Sequence, residues 1–209
     1  MDKHTYKNTD ILINNYNIMD KDKLRIKEQE IVSEANQELL ELDVSMKTTK
    51  DYRAIHKYIF GDIYPWAGEY RTVSMTKPER VLYGQSVEYG KIDSFDKSLN
   101  LLFDEALNKK PEKMNIEVFK DHIRKLCADI WRVHSFREGN TRTISIFADR
   151  YCHQYGYMFN SDLIRNNSQF FRDALVLANA YNDGHQLLEE DEEHLKKIFD
   201  NAITRNAND

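Results

Sequence analysis

Apolar positions recur at helical spacing over most of the chain. Ile31, Ala35, Leu39 and Leu42 fall three or four apart within 27–43, which predicts an amphipathic helix. Thr48, Thr49 and Asp51 offer caps for a second helix through Tyr52, Ile55, His56, Ile59 and Phe60. Further helical patterns run over 92–108, 115–133, 141–156, 168–182 and 188–203. The last carries Leu187, Leu188, Leu195, Ile198, Phe199 and Ala202 on one stripe, and the acidic run Glu189–Glu193 near its start matches the helix dipole. Residues 1–22 are polar and read as a loosely docked arm, and 204–209 as a tail.

One zone breaks the helical pattern. Gly61, Pro65, Gly68, Pro78, Gly84 and Gly90 place six of the chain's ten Gly and Pro residues within 61–90. Inside it, Glu69–Met75 alternates and Arg80–Tyr83 could return, with Thr76–Glu79 as the turn. A short β-hairpin over about 69–83 is expected. The pattern as a whole predicts an all-α domain with one hairpin.

Composition supports this. Seven Gly and three Pro in 209 residues are too few for a turn-rich sandwich. The formal charge of −5 gives no basic face for nucleic acid. No stretch has the ~20 apolar residues of a membrane span or a signal-peptide core, so a cytoplasmic protein is expected, with delivery into another cell left open. High Asn, Lys, Ile and Tyr suggest an AT-rich bacterial genome. Cys127 and Cys152 lack metal-ligand spacing and read as buried thiols.

Candidate chemistry gathers at Val133–Thr143, between two helical patterns. His134 titrates where a general base works near neutrality. Glu138 is a hard oxygen ligand suited to Mg²⁺. Gly139, Asn140 and Thr141 open a helix whose N–H groups make an anion site, and Arg142 adds a phosphate-binding cation. Singly, each has a plain reading: a capping histidine, a turn, a solvated arginine. Phe136 reads as core. Their joint order points to nucleotidyl or phosphoryl transfer. A zinc site is disfavoured, because no HExxH pair is present.

The run His134-Ser135-Phe136-Arg137-Glu138-Gly139-Asn140-Thr141-Arg142 resembles the Fic-domain motif HPFx(D/E)GNGRxxR. Upstream, Ile55–Val73 is similar to the segment that precedes the Fic flap. The resemblance covers about residues 20–203, with the Fic domain itself expected at 23–203. It implies a compact Fic fold of about seven to eight helices with one short β-hairpin flap. It also implies transfer of AMP from ATP to a Ser, Thr or Tyr hydroxyl of a target protein, with Mg²⁺ and release of pyrophosphate. His134 would be the base and Glu138 the metal ligand. Gly139, Asn140 (with its side chain), Thr141 and Arg142 would hold the phosphates. The flap, with Val73, Ser74, Met75 and Thr76, would dock the target by strand-like pairing. Self-modification is a further expectation; the target and the oligomeric state are not specified.

Three positions depart from the motif. Ser135 replaces a proline, and Thr141 a glycine, where the side chain would disfavour a left-handed turn. Ser145 stands where the last arginine falls, so either ATP is held more weakly or another basic residue, such as Arg137 or Arg150, substitutes. A different nucleotide donor, or a catalytically silent Fic-like module, are the alternatives. The family's inhibitory motif (S/T)xxxE(G/N) is approached only at Glu30–Asn36, which would make Glu34 the inhibitory glutamate.

Overall fold

Thr48 starts the second helix as its sequence suggests. Its side chain accepts from the Asp51 N–H, and the Asp51 carboxylate returns the bond to the Thr48 N–H at 3.0 Å. The computed structural model describes residues 2–40, 45–180 and 189–205. Among these, eight α-helices follow in order: α1 Lys21–Leu40, α2 Thr49–Phe60, α3 Phe95–Asn108, α4 Ile116–Val133, α5 Asn140–Gln154, α6 Ser161–Asn166, α7 Ser168–Ala178 and α8 Glu189–Ala202. The ends of the patterns at 41–43, 181–182 and 188, with Leu187, lie outside the described residues.

α4 is the central helix. Phe119, Ile123, Cys127, Ile130 and Trp131 on it are essentially inaccessible, and it packs against α3, α5, α7 and α8. The aromatic residues do much of the filling. Phe119 stacks on Tyr157 with centroids 4.1 Å apart, and Phe147 meets Tyr52 and Phe103 edge-on. Both cysteines are free and buried, and burial raises their pKa values well above the ordinary thiol range.

The helical class is as expected, but the β pairing lies elsewhere. The two-stranded antiparallel sheet joins β1 Tyr157–Phe159 to β2 Ile203–Arg205, so Thr204 and Arg205 belong to the fold rather than to a tail. The 69–83 segment forms no strand pair. Residues 74–79 form neither helix nor strand, with exposed Ser74, Thr76 and Pro78 alternating with more buried neighbours. Residues 72–78 make no backbone–backbone hydrogen bond among those described. The turn falls at 80–84, not at Thr76–Glu79. Pro78 disfavours a helical conformation at Lys77, while Tyr83 and Gly84 supply consecutive positive φ values of 54° and 87°.

The N-terminal arm is fastened rather than loose. Asn14 is 3% exposed, and its amide donates to the carbonyls of Leu12 and Ile18. Trp66 donates from its indole to the Ile13 carbonyl at 2.9 Å and stacks obliquely on His4. Asp2 closes the arm onto Arg137 at 2.6 Å. The arm's polar side chains bind backbone groups, which gives no hydrophobic period to detect.

Candidate active site

α4 ends in a left-handed residue, and that residue is His134 (φ 48°). A bulky residue in this region is strained. Three bonds hold the turn: the His134 N–H donates to the Trp131 carbonyl, and Arg71 donates from Nε to the His134 carbonyl and from its backbone N–H to the Ser135 carbonyl. The imidazole is 2% exposed, and neither ring nitrogen has a hydrogen-bond partner. Burial, then the charges of Lys77, Arg71 and Arg172, push its pKa well below the usual histidine range. The ring is a neutral base with a free lone pair.

The loop then turns into α5. Phe136 is fully buried and stacks on His56 at 3.9 Å. His56 accepts from the Gly68 N–H at Nδ1, so its own proton sits on Nε2, which donates to the Glu138 carbonyl at 3.0 Å. Burial lowers the His56 pKa to about 3. This histidine pins the His134–Gly139 loop from α2, a role its place on an apolar face did not reveal. Gly139 has φ 79°, and a Cβ there would lie 2.3 Å from the Phe60 ring. Only glycine fits, for both reasons.

Asn140 closes the loop with its side chain, accepting from the Phe136 N–H and donating to the Phe136 carbonyl. Its amide is therefore committed, and what it offers an anion is its backbone N–H at the start of α5. Thr141 lies inside α5, so no left-handed turn is needed there; its hydroxyl accepts from the Trp131 indole at 3.0 Å. The missing glycine costs the fold nothing.

His134, Glu138, Gly139, Asn140, Thr141 and Arg142 all line one cavity of about 570 Å³. Glu138 accepts from the Gly139 N–H and faces Arg142 at 3.6 Å. Burial opposes its charge, but Lys77, Arg142 and that N–H outweigh it and lower its pKa. It is an anion facing a cationic wall. Lys77 and Arg172, which the sequence did not single out, also line the cavity, as do Lys21, Arg25 and Glu28 from α1 and Asp10, Ile11 and Leu12 from the arm. Among the described residues, Arg137 and Arg150 do not: Arg137 pairs with Asp2, and Arg150 pairs with Asp149. Glu34 is exposed on α1 and off the cavity; the carboxylate of α1 that reaches the site is Glu28. Val73, Ser74, Met75 and Thr76 stand in the irregular segment that leads to Lys77.

The Fic/DOC family model matches residues 47–152, which spans α2 through most of α5 and the whole His134–Gly139 loop. The chain belongs to the Fic/DOC family. It is 30% identical over 175 residues to the probable protein adenylyltransferase y4lH of Sinorhizobium fredii, covering 82% of this chain and 84% of that one. It is 26% identical over 164 residues to the protein adenylyltransferase VbhT of Bartonella schoenbuchensis, covering 78% of this chain but only 33% of VbhT. The Fic fold itself is matched by the crystal structure of BepC from Bartonella tribocorum with bound AMPPNP, with a TM-score of 0.80 at 20% identity over 97% of both chains. Among the described residues, no helix of this Fic-family chain is long and apolar enough to cross a membrane.

Proposed function

We propose that this Fic-family protein transfers AMP from ATP to a side-chain hydroxyl of a target protein. One observation carries the reading: the neutral, unpartnered His134 imidazole and the α5 N-terminus with Arg142 share the wall of a single cavity. Base and anion site are thereby held within reach of one substrate. The names of y4lH and VbhT support the same activity.

In this reading the triphosphate lies against the first turn of α5, where the N–H groups of Asn140 and Thr141, the Arg142 guanidinium and the Lys77 ammonium offset its charge. The hydroxyl oxygen attacks the α-phosphorus, its proton passes to His134, and the bond to pyrophosphate breaks. The residues also fit Mg²⁺. One anionic carboxylate, Glu138, faces the phosphate site, and Mg²⁺ commonly takes one or two carboxylates plus phosphate oxygens. When bound, the ion would neutralise phosphate charge.

The 73–76 segment makes no backbone–backbone hydrogen bond among those described; the Val73 carbonyl accepts from the Arg71 guanidinium at 2.6 Å, and residues 74–76 beyond it suit target docking by strand addition. The deciding experiment is incubation with α-labelled ATP and Mg²⁺, beside the His134→Ala protein, followed by mass mapping. Label on a target or on the protein itself in the wild type alone supports the proposal; equal label in both overturns it.

A second reading rests on Ser145. Beside Arg142 lies a further cavity of about 260 Å³, lined by Ser145, Ser161, Ser168 and Arg165 among others. A donor other than ATP would use that room. A panel of nucleoside triphosphates, scored by intact mass, separates the two.

A further inference from the structure

Catalytic histidines are ordinarily oriented by a hydrogen bond from the second ring nitrogen to a carboxylate or carbonyl. His134 has no such bond; both nitrogens are unpartnered. Its orientation is set by aromatic rings instead. Tyr89 lies face-on to the imidazole, with centroids 3.9 Å apart and planes 26° from parallel. Trp131 meets the same ring edge-on at 5.3 Å.

The backbone fixes Tyr89 in that place. Gly90 follows it, and a Cβ there would sit 2.9 Å from the Val133 carbonyl, so this segment lies directly on the end of α4. The Gly90 N–H donates to the Arg132 carbonyl, and the buried Arg71 guanidinium bonds the carbonyls of both Gly90 and His134. The phenol is fixed as well. It donates to Glu79 Oε1 at 3.3 Å, and the buried Glu79 carboxylate takes a bidentate pair from Arg172 at 2.5 and 2.7 Å. Arg172 lines the same cavity as His134 and Arg142.

We propose that Tyr89 is a positioning residue for His134: its ring holds the imidazole by stacking, and its hydroxyl ties that stack through Glu79 to Arg172 on the cavity wall. The proposal rests on His134 being the base of the proposed transfer. A shelf of this kind leaves both imidazole nitrogens available, one to take the proton, while restricting the ring's rotation. A misplacement of about 1 Å at a reacting group can lower a rate about 100-fold, so the shelf has a kinetic consequence beyond stability.

The test uses the full chain and three variants: Tyr89→Phe, Tyr89→Leu and Glu79→Gln. Histidine ring NMR signals, with His134 assigned through His134→Gln, report the stack without requiring any activity. The wild-type His134 ring protons should show the upfield shift of an aromatic face. Tyr89→Phe should keep the shift, because the ring remains, but broaden the signals as Glu79→Gln does, because the tether is cut, with kcat lowered less than in Tyr89→Leu. Tyr89→Leu should lose the shift, with kcat lowered at least about tenfold and the ATP Kd within about twofold. Glu79→Gln should broaden the His134 signals and lower kcat without weakening ATP.

Unmoved His134 signals in Tyr89→Leu overturn the shelf, as does a kcat that falls only in step with ATP affinity. Unmoved signals in Glu79→Gln overturn the tether. If Tyr89→Leu fails to fold, as read by circular dichroism and melting, Tyr89→Met takes its place under the same criteria. A wild type that transfers AMP to nothing overturns the proposed function, and the ring signals then judge the stacking alone.

Discussion

Glu28 on α1 grips Arg142 on α5, with Oε1 2.5 Å from the guanidinium and the other oxygen accepting from the Tyr64 hydroxyl. The arginine best placed to meet a phosphate is therefore already paired. A nucleotide must share or displace that contact, because one guanidinium fork serves one carboxylate or phosphate well. Glu28→Gln should tighten ATP binding about three- to tenfold, consistent with an ion-pair contribution of ~1 kcal/mol. Calorimetric titration checks this; an unchanged or weaker affinity counts against competition at Arg142.

His134→Ala should abolish transfer while leaving the ATP Kd within about twofold, since the imidazole lines the cavity but carries no charge to attract phosphate. Residual transfer above a few per cent would mean that another group takes the proton.

Glu138→Ala should weaken the Mg²⁺ dependence of nucleotide binding. The loss of this anion also removes a charge facing Arg142 and Lys77. Metal-free ATP binding should hold or improve while the gain from Mg²⁺ falls. An Mg²⁺ titration at fixed ATP distinguishes this from a general loss of the site.

Lys77→Met should weaken ATP about 10- to 100-fold, as expected for one charge-assisted contact worth ~1.5–3 kcal/mol. It should also move the pH profile. The Lys77 charge helps hold the His134 pKa down, so its removal lets that pKa rise toward the ordinary value. The acid limb of the rate profile should then appear at higher pH than in wild type. A limb that stays put or moves to lower pH would contradict the coupling.

His56 makes stability depend on pH. Its folded pKa of about 3 lies below the unfolded value near 6.5, so the unfolded chain binds more protons between the two. The stabilisation is complete above pH 6.5 and is lost as pH falls toward 3, at up to ~1.4 kcal/mol per pH unit. The pKa of buried His122, lowered to about 4, adds to the same window. Urea melts of wild type and His56→Gln across pH 4–7 should show a shallower slope in the variant; parallel curves would assign the proton uptake elsewhere.

Much of the helical plan was legible in the sequence. The caps of α2, the stripe of α4 and the order from His134 to Arg142 are local facts, written in neighbouring residues. The scarcity of Gly and Pro located the one irregular zone, though not its form. There Pro78, Tyr83 and Gly84 move the turn, because a pre-proline residue disfavoured from the helical conformation and two left-handed ones outweigh the β-prone alternation. Thr141 shows the reverse case: a substitution that looked costly lies inside a helix and finds the Trp131 indole.

The rest was decided only in three dimensions. Tyr89 beneath His134, Glu28 on Arg142, His56 behind Glu138, and the arm fastened to Arg137 each join residues distant along the chain. Periodicity tells which face of a helix is buried, not which side chain of another element arrives there. That choice is made by packing the helices against α4 and by pairing most of the buried polar groups, with the His134 imidazole left unpaired. The sequence by itself determined the helices and the chemical groups of the catalytic loop; the tertiary structure decided which of those groups are held, which are paired and which remain free to react.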